Sequence, residues 1–199
     1  MKRIKGFLSK EEGKKLQEIF KKVHTLGPVL EVGTYCGKSA LCFAKIAKDF
    51  DSTVFTVDHH TGSEEHQLGE EYHDRDLYDN RLHKFNTLPE LLSNLIGSGL
   101  GSYIIPIVND SVSSSKNFKK DVSVLFIDGG HSLQAAINDY DAWKDKIAIG
   151  GYLLIHDVFP NPADGGRPPF EIYNLAKKSG KFEDLGIFKT LAMLKKTPD

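Results

Sequence analysis

Short apolar runs alternate along this chain with segments whose apolar residues recur at helical spacing. The runs cover residues 28–32, 52–58, 103–108, 122–127 and 152–155. Their length and their β-branched content are typical of buried strands. Because a helical segment follows each strand in turn, the pattern predicts an α/β fold in which helices cover both faces of a mainly parallel sheet. No repeat or linker interrupts it, so we predict a single domain over residues 1–199.

The N-terminal region precedes the first strand and is predicted to be helical. Ser9 followed by Glu12 matches the capping box, in which the two residues satisfy each other's backbone amides at a helix start. Proline cannot continue a helix, so this one is expected to end near Pro28. Residues 1–27 therefore form an N-terminal helical extension of the domain.

Four later segments carry specific structural expectations. Residues 80–96 are predicted to form one helix, and residues 185–195 a C-terminal hairpin. Pro106 indicates that its strand lies at a sheet edge, because proline lacks the amide that a central strand requires. In the helix after the fourth strand, Leu133 is expected on the apolar face towards the core, and Asp139 on the polar side.

The turn after the first strand, Glu-Val-Gly-Thr-Tyr-Cys-Gly at residues 31–37, leaves three ligand classes to compare. A phosphate-binding P-loop requires G-x-x-x-x-G-K-[ST], and this turn is one residue too short. A dinucleotide fingerprint requires G-x-G-x-x-G, but Glu31 and Cys36 occupy the flanking glycine positions. A carboxylate at Glu31 would repel a diphosphate and suit a cationic ligand. A purely structural glycine turn is the remaining alternative.

Polar residues follow five of the predicted strands. Ligands of open α/β sheets bind at the carboxyl ends of the strands, where the strand order reverses. Asp58 also follows Gly33 at about the spacing, ~20 residues, at which an acid meets ribose hydroxyls in nucleotide-binding units. We therefore predict a functional rim composed of Glu31 and Gly33, Asp58, Asp110, Asp128 with His131, and His156 with Asp157.

Composition and charge limit the classes of molecule that this protein can be expected to bind. The 199 residues carry a net charge of −1, which gives no electrostatic support for a nucleic acid or an anionic membrane as partner. No apolar run approaches the ~20 residues of a membrane span, and the N-terminus lacks the apolar core of a signal peptide. We expect a cytoplasmic protein with a small-molecule substrate, and a homodimer is compatible with the sequence.

A long polar segment, residues 59–79, follows the second strand. Loops of this length inside compact domains are usually functional or disordered, and we predict a lid over the strand ends. The segment contains His59, His60, His66 and His73. Their spacing matches no common metal-ligand pattern, so we assign them to the lid.

These motifs together resemble a small bacterial branch of the class I S-adenosylmethionine (SAM) dependent methyltransferases. The resemblance runs from residue 28 to the C-terminus and includes E-x-G-x-x-x-G, the strand-end Asp58, Asp-Gly-Gly-His at 128–131 and His-Asp at 156–157. It implies a Rossmann-like doubly wound sheet of seven strands whose last strand is antiparallel. It also implies SAM as cofactor, with contacts assigned to Glu31, Gly33, Thr34, Tyr35, Gly37, Ser39, Asp58, His59, Asp110, Ser111 and Asp128.

The predicted chemistry is methyl transfer to a small molecule, with oxygen as the expected acceptor atom. A hydroxyl acceptor must lose its proton, which requires a base or a metal. His131 and His156 titrate near neutral pH and are the predicted bases; each has a structural alternative, as a helix cap or as a hydrogen-bonding group of the rim. Asp128 and Asp157 complete the predicted catalytic set.

The resemblance also suggests a second cofactor, a divalent cation such as Mg²⁺. Catechol-type relatives hold one through an Asp after the fourth strand and an Asp-Asn pair after the fifth, and Asp128 and Asp157 stand at the two Asp positions. Val158 stands at the Asn position and cannot ligate. His60 and Arg167 are predicted substrate contacts, although Arg167 has the alternative of tying its own loop to an acid.

Two other functions remain as alternatives. A nicotinamide-dependent oxidoreductase would use a similar fold, but Glu31 and the missing third glycine count against it. A non-catalytic nucleoside-binding protein would keep the cleft without the chemistry, and the polar rim counts weakly against that.

Overall fold

A seven-stranded sheet forms the centre of the protein. The structure is a computed structural model that describes residues 4–63, 74–130, 132–161 and 163–198. Its strands are β1 (Val29–Val32), β2 (Val54–Asp58), β3 (Tyr78–Asp79), β4 (Lys84–Phe85), β5 (Ile104–Val108), β6 (Val122–Ile127), β7 (Ile147–Ile155), β8 (Phe182–Phe188) and β9 (Leu191–Lys196). β3 and β4 pair with each other, and the other seven lie in the order β5-β2-β1-β6-β7-β9-β8.

The direction of the strands confirms the predicted topology. β1 pairs in parallel with both β2 and β6, and β9 is antiparallel to its neighbours β7 and β8. The chain moves outward from β1 in both directions, so the strand order reverses between β1 and β6. β5 lies at an edge of the sheet, as Pro106 predicts. The Rossmann-like sheet with an antiparallel last strand is therefore confirmed.

Helices cover both faces. The described helices are α1 (Lys10–Val23), α2 (Lys38–Asp49), α3 (Leu88–Ser98), α4 (Ser111–Asn117), α5 (Leu133–Trp143) and α6 (Pro168–Lys178). Apolar residues of α1, α2 and α3, such as Phe20, Phe43 and Leu91, form one core with that face of the sheet. On the other face, Trp143 of α5 and Ile172 of α6 pack with Leu30 and its neighbours.

The first helix begins where the sequence predicts. The Ser9 hydroxyl accepts from the Glu12 amide, and the Glu12 carboxylate accepts from the Ser9 amide. The helix ends earlier than expected, at Val23, and a 3-10 turn continues to Leu26. No helix among the described residues is long and apolar enough to cross a membrane.

The predicted helix over residues 80–96 is wrong in its first half. The Asp79 side chain accepts from the amide of Arg81 and binds its guanidinium, which stabilises a turn between β3 and β4. Pro89 then lies in the first turn of α3, the helical position that proline favours. The local turn chemistry therefore prevails over the apolar pattern until Leu88.

The predicted orientation of α5 is wrong for two residues. Leu133, expected in the core, is 49% exposed, whereas Asp139, expected on the polar side, is only 8% exposed. The helix begins just beyond the carboxyl end of β6, so its first apolar residue extends beyond the core. Asp139 is turned inward over Gly129: a Cβ built on Gly129 would lie 2.8 Å from Oδ2 of Asp139.

Candidate active site

The strand ends of β1 and β6 meet at Gly33. Its φ of +87° is a conformation that side chains rarely adopt, and a Cβ at this position would lie 2.0 Å from the carbonyl oxygen of Asp128. Gly37 also has positive φ and begins α2. The predicted glycine bend is therefore present, and its first glycine allows the two strand ends to touch.

Two cavities open on either side of this contact. We call the first the Asp58 cleft, of about 350 Å³, and the second the Asp157 cavity, of about 260 Å³. The volume of the Asp58 cleft is just inside, and that of the Asp157 cavity just below, the ~300–1,000 Å³ usual for small-molecule sites. They share Gly33, Tyr35, Asp128 and Gly129, so a group bound in one cavity can reach a group bound in the other.

Carboxylates dominate the Asp58 cleft. Four of its lining residues are acidic, and no Lys or Arg lines it among the residues that the structure describes. The acids are Asp58, Asp110, Asp128 and Asp139. Burial raises the pKa of Asp139 to about 6. A cleft of this charge attracts a cation and repels phosphate groups.

Asp58 also organises the glycine bend. Its Oδ2 accepts from the amides of Thr34 and Tyr35, each at 2.9 Å, and its Oδ1 accepts from the amide of His60 at 2.7 Å. His59 and Ser63 continue the cleft wall beside it. Asp58 thus holds the bend and faces the cleft at the same time.

The far wall of the Asp58 cleft is formed by the start of α4. Asp110 caps this helix through the amide of Ser113, and Ser111 lines the cleft beside it. The Ser111 hydroxyl accepts from Nε1 of Trp143 at 2.8 Å, which connects this wall to α5. Both predicted residues are therefore at the cleft, although each already has a protein partner.

The Asp157 cavity has a different character. Its walls include the aromatic residues Phe7, Tyr35 and Phe159, the cations Lys5 and Lys38, and the acids Asp128, Asp157 and Asp164. Thr34 of the glycine bend and Ser39 of α2 also line it. Aromatic rings, both charge signs and access to Asp128 suit an organic molecule that carries polar substituents.

Residues 4–8, which we call the N-terminal segment, close one side of the Asp157 cavity. Nζ of Lys5 donates to Asp74 at 2.6 Å and to Asp76 at 2.9 Å. Nζ of Lys38 donates to the carbonyl of Gly6 at 2.8 Å. The segment is thus fastened both to the start of α2 and to the end of the predicted lid. No sequence signal identifies it, because its residues form no regular element.

A buried histidine links the acids of the rim. Nδ1 of His156 lies 3.0 Å from Oδ1 of Asp128 and 3.3 Å from Oδ1 of Asp157. Burial opposes the charged ring, but the two carboxylates overcome it and raise the pKa of His156 to about 11. A ring that already holds its proton is a poor general base at neutral pH, so this environment argues against the base role predicted for His156.

The same three residues could hold a metal ion. One ligand atom from each of Asp128, His156 and Asp157 lies within 4.8 Å of the others. Carboxylate oxygens suit Mg²⁺, and imidazole suits several transition metals. Val158, at the Asn position of the catechol-type pattern, is fully buried in the core. The donor set therefore fits a divalent cation through His156 in place of that Asn.

Glu31 lies outside both cavities. Its side chain is fully buried, and neither carboxylate oxygen has a hydrogen-bond partner among the residues that the structure describes. Burial raises its pKa well above the usual range. The ligand contact expected of Glu31 stays a prediction, and the acids that line the Asp58 cleft are Asp58, Asp110, Asp128 and Asp139.

The two predicted substrate residues lie outside the cavities. His60 is buried, its Nδ1 is 2.6 Å from the Thr87 hydroxyl, and burial lowers its pKa. Arg167 donates to the carbonyl of Pro160 and to Glu171, and its guanidinium lies over the Phe170 ring. Arg167 therefore ties its own loop, the alternative role. His131, and residues 64–73 of the predicted lid, lie outside the described residues.

Comparison with solved structures shows the same fold. The O-methyltransferase NovP is 16% identical, with a TM-score of 0.72 over 94% of this chain and 80% of that chain. A SAH-bound methyltransferase of Podospora anserina, PaMTH1, is 14% identical, with a TM-score of 0.69 over 96% and 80%. A SAH-bound O-methyltransferase of Bacillus cereus is 15% identical, with a TM-score of 0.66 over 96% and 83%.

The strand order, with its reversal between β1 and β6 and the antiparallel β9, is that of the class I SAM-dependent methyltransferase fold. A family model described as a methyltransferase domain matches residues 30–158, which is most of the chain. The chain belongs to this methyltransferase-domain family. The matched region contains every residue shared by the two cavities and ends at Val158.

Proposed function

We propose that this protein transfers the methyl group of SAM to an oxygen of a small organic molecule. The observation that carries the proposal is the junction of two cavities at Gly33 and Asp128. Methyl transfer is an in-line displacement that requires donor and acceptor on opposite sides of the moving carbon, and positioning alone supplies much of the rate. SAM would occupy the Asp58 cleft, and the acceptor the Asp157 cavity.

The charge of the Asp58 cleft supports SAM over a nicotinamide cofactor. SAM carries a positive sulfonium and ammonium, whereas a dinucleotide carries a diphosphate. Four carboxylates with no described Lys or Arg in the lining favour the first and disfavour the second. Asp58 and Asp139, which both line this cleft, are the acids that we assign to cofactor binding.

Asp128 is the residue that we assign to the acceptor proton, because it lines both cavities and belongs to the rim cluster. The acceptor hydroxyl would approach Asp128 and Asp157 and give its proton to a carboxylate there. His156 would orient both carboxylates from beneath. His131 stays a predicted base.

A divalent cation held by Asp128, Asp157 and His156 would lower the pKa of the acceptor hydroxyl. The fit of the donor set supports this assignment. The lid over residues 59–79, the cytoplasmic location and a homodimer stay predictions.

Calorimetry with SAM, S-adenosylhomocysteine and NADH tests the cofactor. We expect binding of the first two and none of NADH, and the opposite order would refute the proposal. Turnover of labelled SAM against a panel of phenols, sugars and hydroxy acids then tests the acceptor, with EDTA and with Mg²⁺ added back. Product that carries the label on nitrogen or carbon would reject oxygen as the acceptor atom.

A further inference from the structure

The Asp157 cavity contains two lysines whose charges are balanced differently. Nζ of Lys5 donates to Asp74 at 2.6 Å and to Asp76 at 2.9 Å, so two carboxylates balance its charge. Nζ of Lys38 donates to the carbonyl oxygen of Gly6 at 2.8 Å, and no acid in the part of the chain that the structure describes forms an ion pair with it. An ammonium has three N–H donors, so Lys38 has donors left for a ligand.

The position of Lys38 directs it towards the acceptor. It lines the Asp157 cavity and does not line the Asp58 cleft, which we assign to SAM. Its stem is half-buried against the N-terminal segment: a Cβ built on Gly6 would lie 3.2 Å from Cβ and from Cδ of Lys38. This packing limits the freedom of the side chain, so its ammonium loses less entropy when it binds a ligand.

The acids of the same cavity do not cancel the charge of Lys38. The Oδ1 atoms of Asp128 and Asp157 face the His156 ring, at 3.0 Å and 3.3 Å from Nδ1. Asp164 is exposed, and solvent and salt screen its charge. Lys38 is therefore the cation of this cavity, among the described residues, that can bind an anionic group of a ligand.

We propose that Lys38 binds a carboxylate of the acceptor, so that the acceptor is a hydroxy acid with an aromatic body. The inference rests on the proposed function, which places the acceptor hydroxyl at Asp128 and Asp157. A hydrogen bond between two ions is roughly twice as strong as one between neutral groups. Lys38 would therefore favour an acid over a neutral molecule of the same shape.

The aromatic residues of the cavity indicate the body of that acid. Phe7 and Tyr35 line the cavity with ring centroids 6.2 Å apart, and Phe159 lines it from the loop after β7. Stacked and tilted ring pairs are favourable beyond the area that they bury. A planar ring that carries the hydroxyl and the carboxylate would therefore contact these walls while its two polar groups reach opposite charges.

The competing explanation is that Lys38 only fastens the N-terminal segment through Gly6. An acid and its amide separate the two explanations, because they share a shape and differ in charge. If Lys38 is only a fastening, its loss should weaken the binding of both molecules equally. If Lys38 binds the carboxylate, its loss should weaken the binding of the acid alone.

Four variants isolate the charge. Lys38→Gln removes the charge and keeps an N–H donor for Gly6, and Lys38→Met serves as a second neutral variant where Lys38→Gln does not fold. Lys38→Arg keeps the charge. Lys45→Met is the matched control, because Lys45 lies on the same helix, is exposed, and lines neither cavity.

The test is calorimetry on the full-length protein loaded with S-adenosylhomocysteine, with monohydroxybenzoates and dihydroxybenzoates and with their amides. We expect the wild type to bind at least one acid ~10-fold or more tightly than its amide. Lys38→Gln should lose that preference and bind the amide as the wild type does, whereas Lys38→Arg and Lys45→Met should keep it. Lys5→Met, which releases the same segment, should weaken the acid and the amide alike.

Three results would overturn the inference. One is a wild type that binds no acid more tightly than its amide, which decides the question without any variant. Another is a folded neutral variant of Lys38 that keeps the preference for the acid. The third is a neutral variant that loses affinity for S-adenosylhomocysteine and keeps that preference, which would assign Lys38 to the carboxylate of the cofactor. If the wild type binds acids selectively and methylates none of them, the proposed function fails, and the preference for acids still supports the role of Lys38.

Discussion

Replacement of Gly33 by alanine tests the contact on which both cavities depend. The new Cβ would lie 2.0 Å from the carbonyl oxygen of Asp128 and 2.5 Å from its carbonyl carbon, which are distances that real Cβ atoms do not reach. Backbone must therefore move at the end of β1 or of β6. In addition, the residue would keep a left-handed conformation that costs an L-residue about 1–2 kcal/mol.

Gly99 is the matched control. It ends α3 with a φ of +68°, and a Cβ there would meet nothing within 4 Å. In Gly99→Ala the free energy of unfolding should therefore fall only by the cost of the left-handed backbone conformation, about 1–2 kcal/mol. In Gly33→Ala it should fall by that cost and by a further ~1–3 kcal/mol for the displaced backbone, or about 2–5 kcal/mol in total. The difference between the two variants isolates the contact with Asp128.

Urea unfolding at 25 °C measures both losses, and calorimetry with SAM measures the consequence for the site. We expect Gly33→Ala to bind SAM at least ~10-fold more weakly, a change of about 1.4 kcal/mol, because both cavities share this junction. Gly99→Ala, far from the cavities, should bind SAM normally. Equal losses of stability in the two variants would show that the strand ends are not in the close contact described.

Three further perturbations address the charges. Asp128→Asn should lower kcat by ~10²–10⁴-fold, which is the range for the loss of a general base. Asp164→Asn, on another wall of the Asp157 cavity, should leave kcat unchanged, and initial rates measure both variants. Lys5→Met should release the N-terminal segment, and should therefore raise the KM for the acceptor but not the KM for SAM. Lys15→Met is the control, because Lys15 forms its ion pair with Glu18 within α1. The raised pKa of Asp139 implies that the native state binds an extra proton between about pH 4 and 6, so stability falls with rising pH there. Unfolding at pH 5 and pH 8 covers about one pKa unit of this range, so Asp139→Asn should remove about 1.4 kcal/mol of the loss of stability between those two pH values. A pH slope equal to that of the wild type would refute this reasoning.

The sequence predicted those features that depend on local pattern. The capping box of Ser9 and Glu12, the edge position of Pro106 and the glycine bend are each encoded within a few neighbouring residues, and each is present. The alternation of strands and helices fixed the parallel sheet, because few topologies connect such elements without crossing. The antiparallel last strand came from the family resemblance rather than from the pattern.

The sequence could not predict where the polar side chains point. Glu31 and Asp58 both end strands, yet Glu31 is buried under α2 and Asp58 opens into a cleft. Asp139 lies on a helix whose spacing suggested a solvated face, and its inward turn depends on how α5 meets the strand ends. A signal was present in Gly129, because a residue without a side chain opposite a helix leaves room for a buried carboxylate.

The burial of acids around one cleft connects stability to the choice of ligand. Asp139, at 8% exposure, is unfavourable to ionise in the ligand-free protein, and a cation bound nearby would stabilise its charged form. SAM carries a sulfonium charge that S-adenosylhomocysteine lacks, and two charges about 10 Å apart interact by about 1–2 kcal/mol at an effective dielectric of ~20. We therefore expect the affinity ratio of SAM to S-adenosylhomocysteine to rise between pH 5 and 8, as Asp139 ionises, and to stay flat in Asp139→Asn. Calorimetry at the two pH values measures this ratio. If the wild-type ratio is independent of pH, the acidic wall does not contact the sulfonium end of the cofactor, and selection for SAM must depend on shape instead.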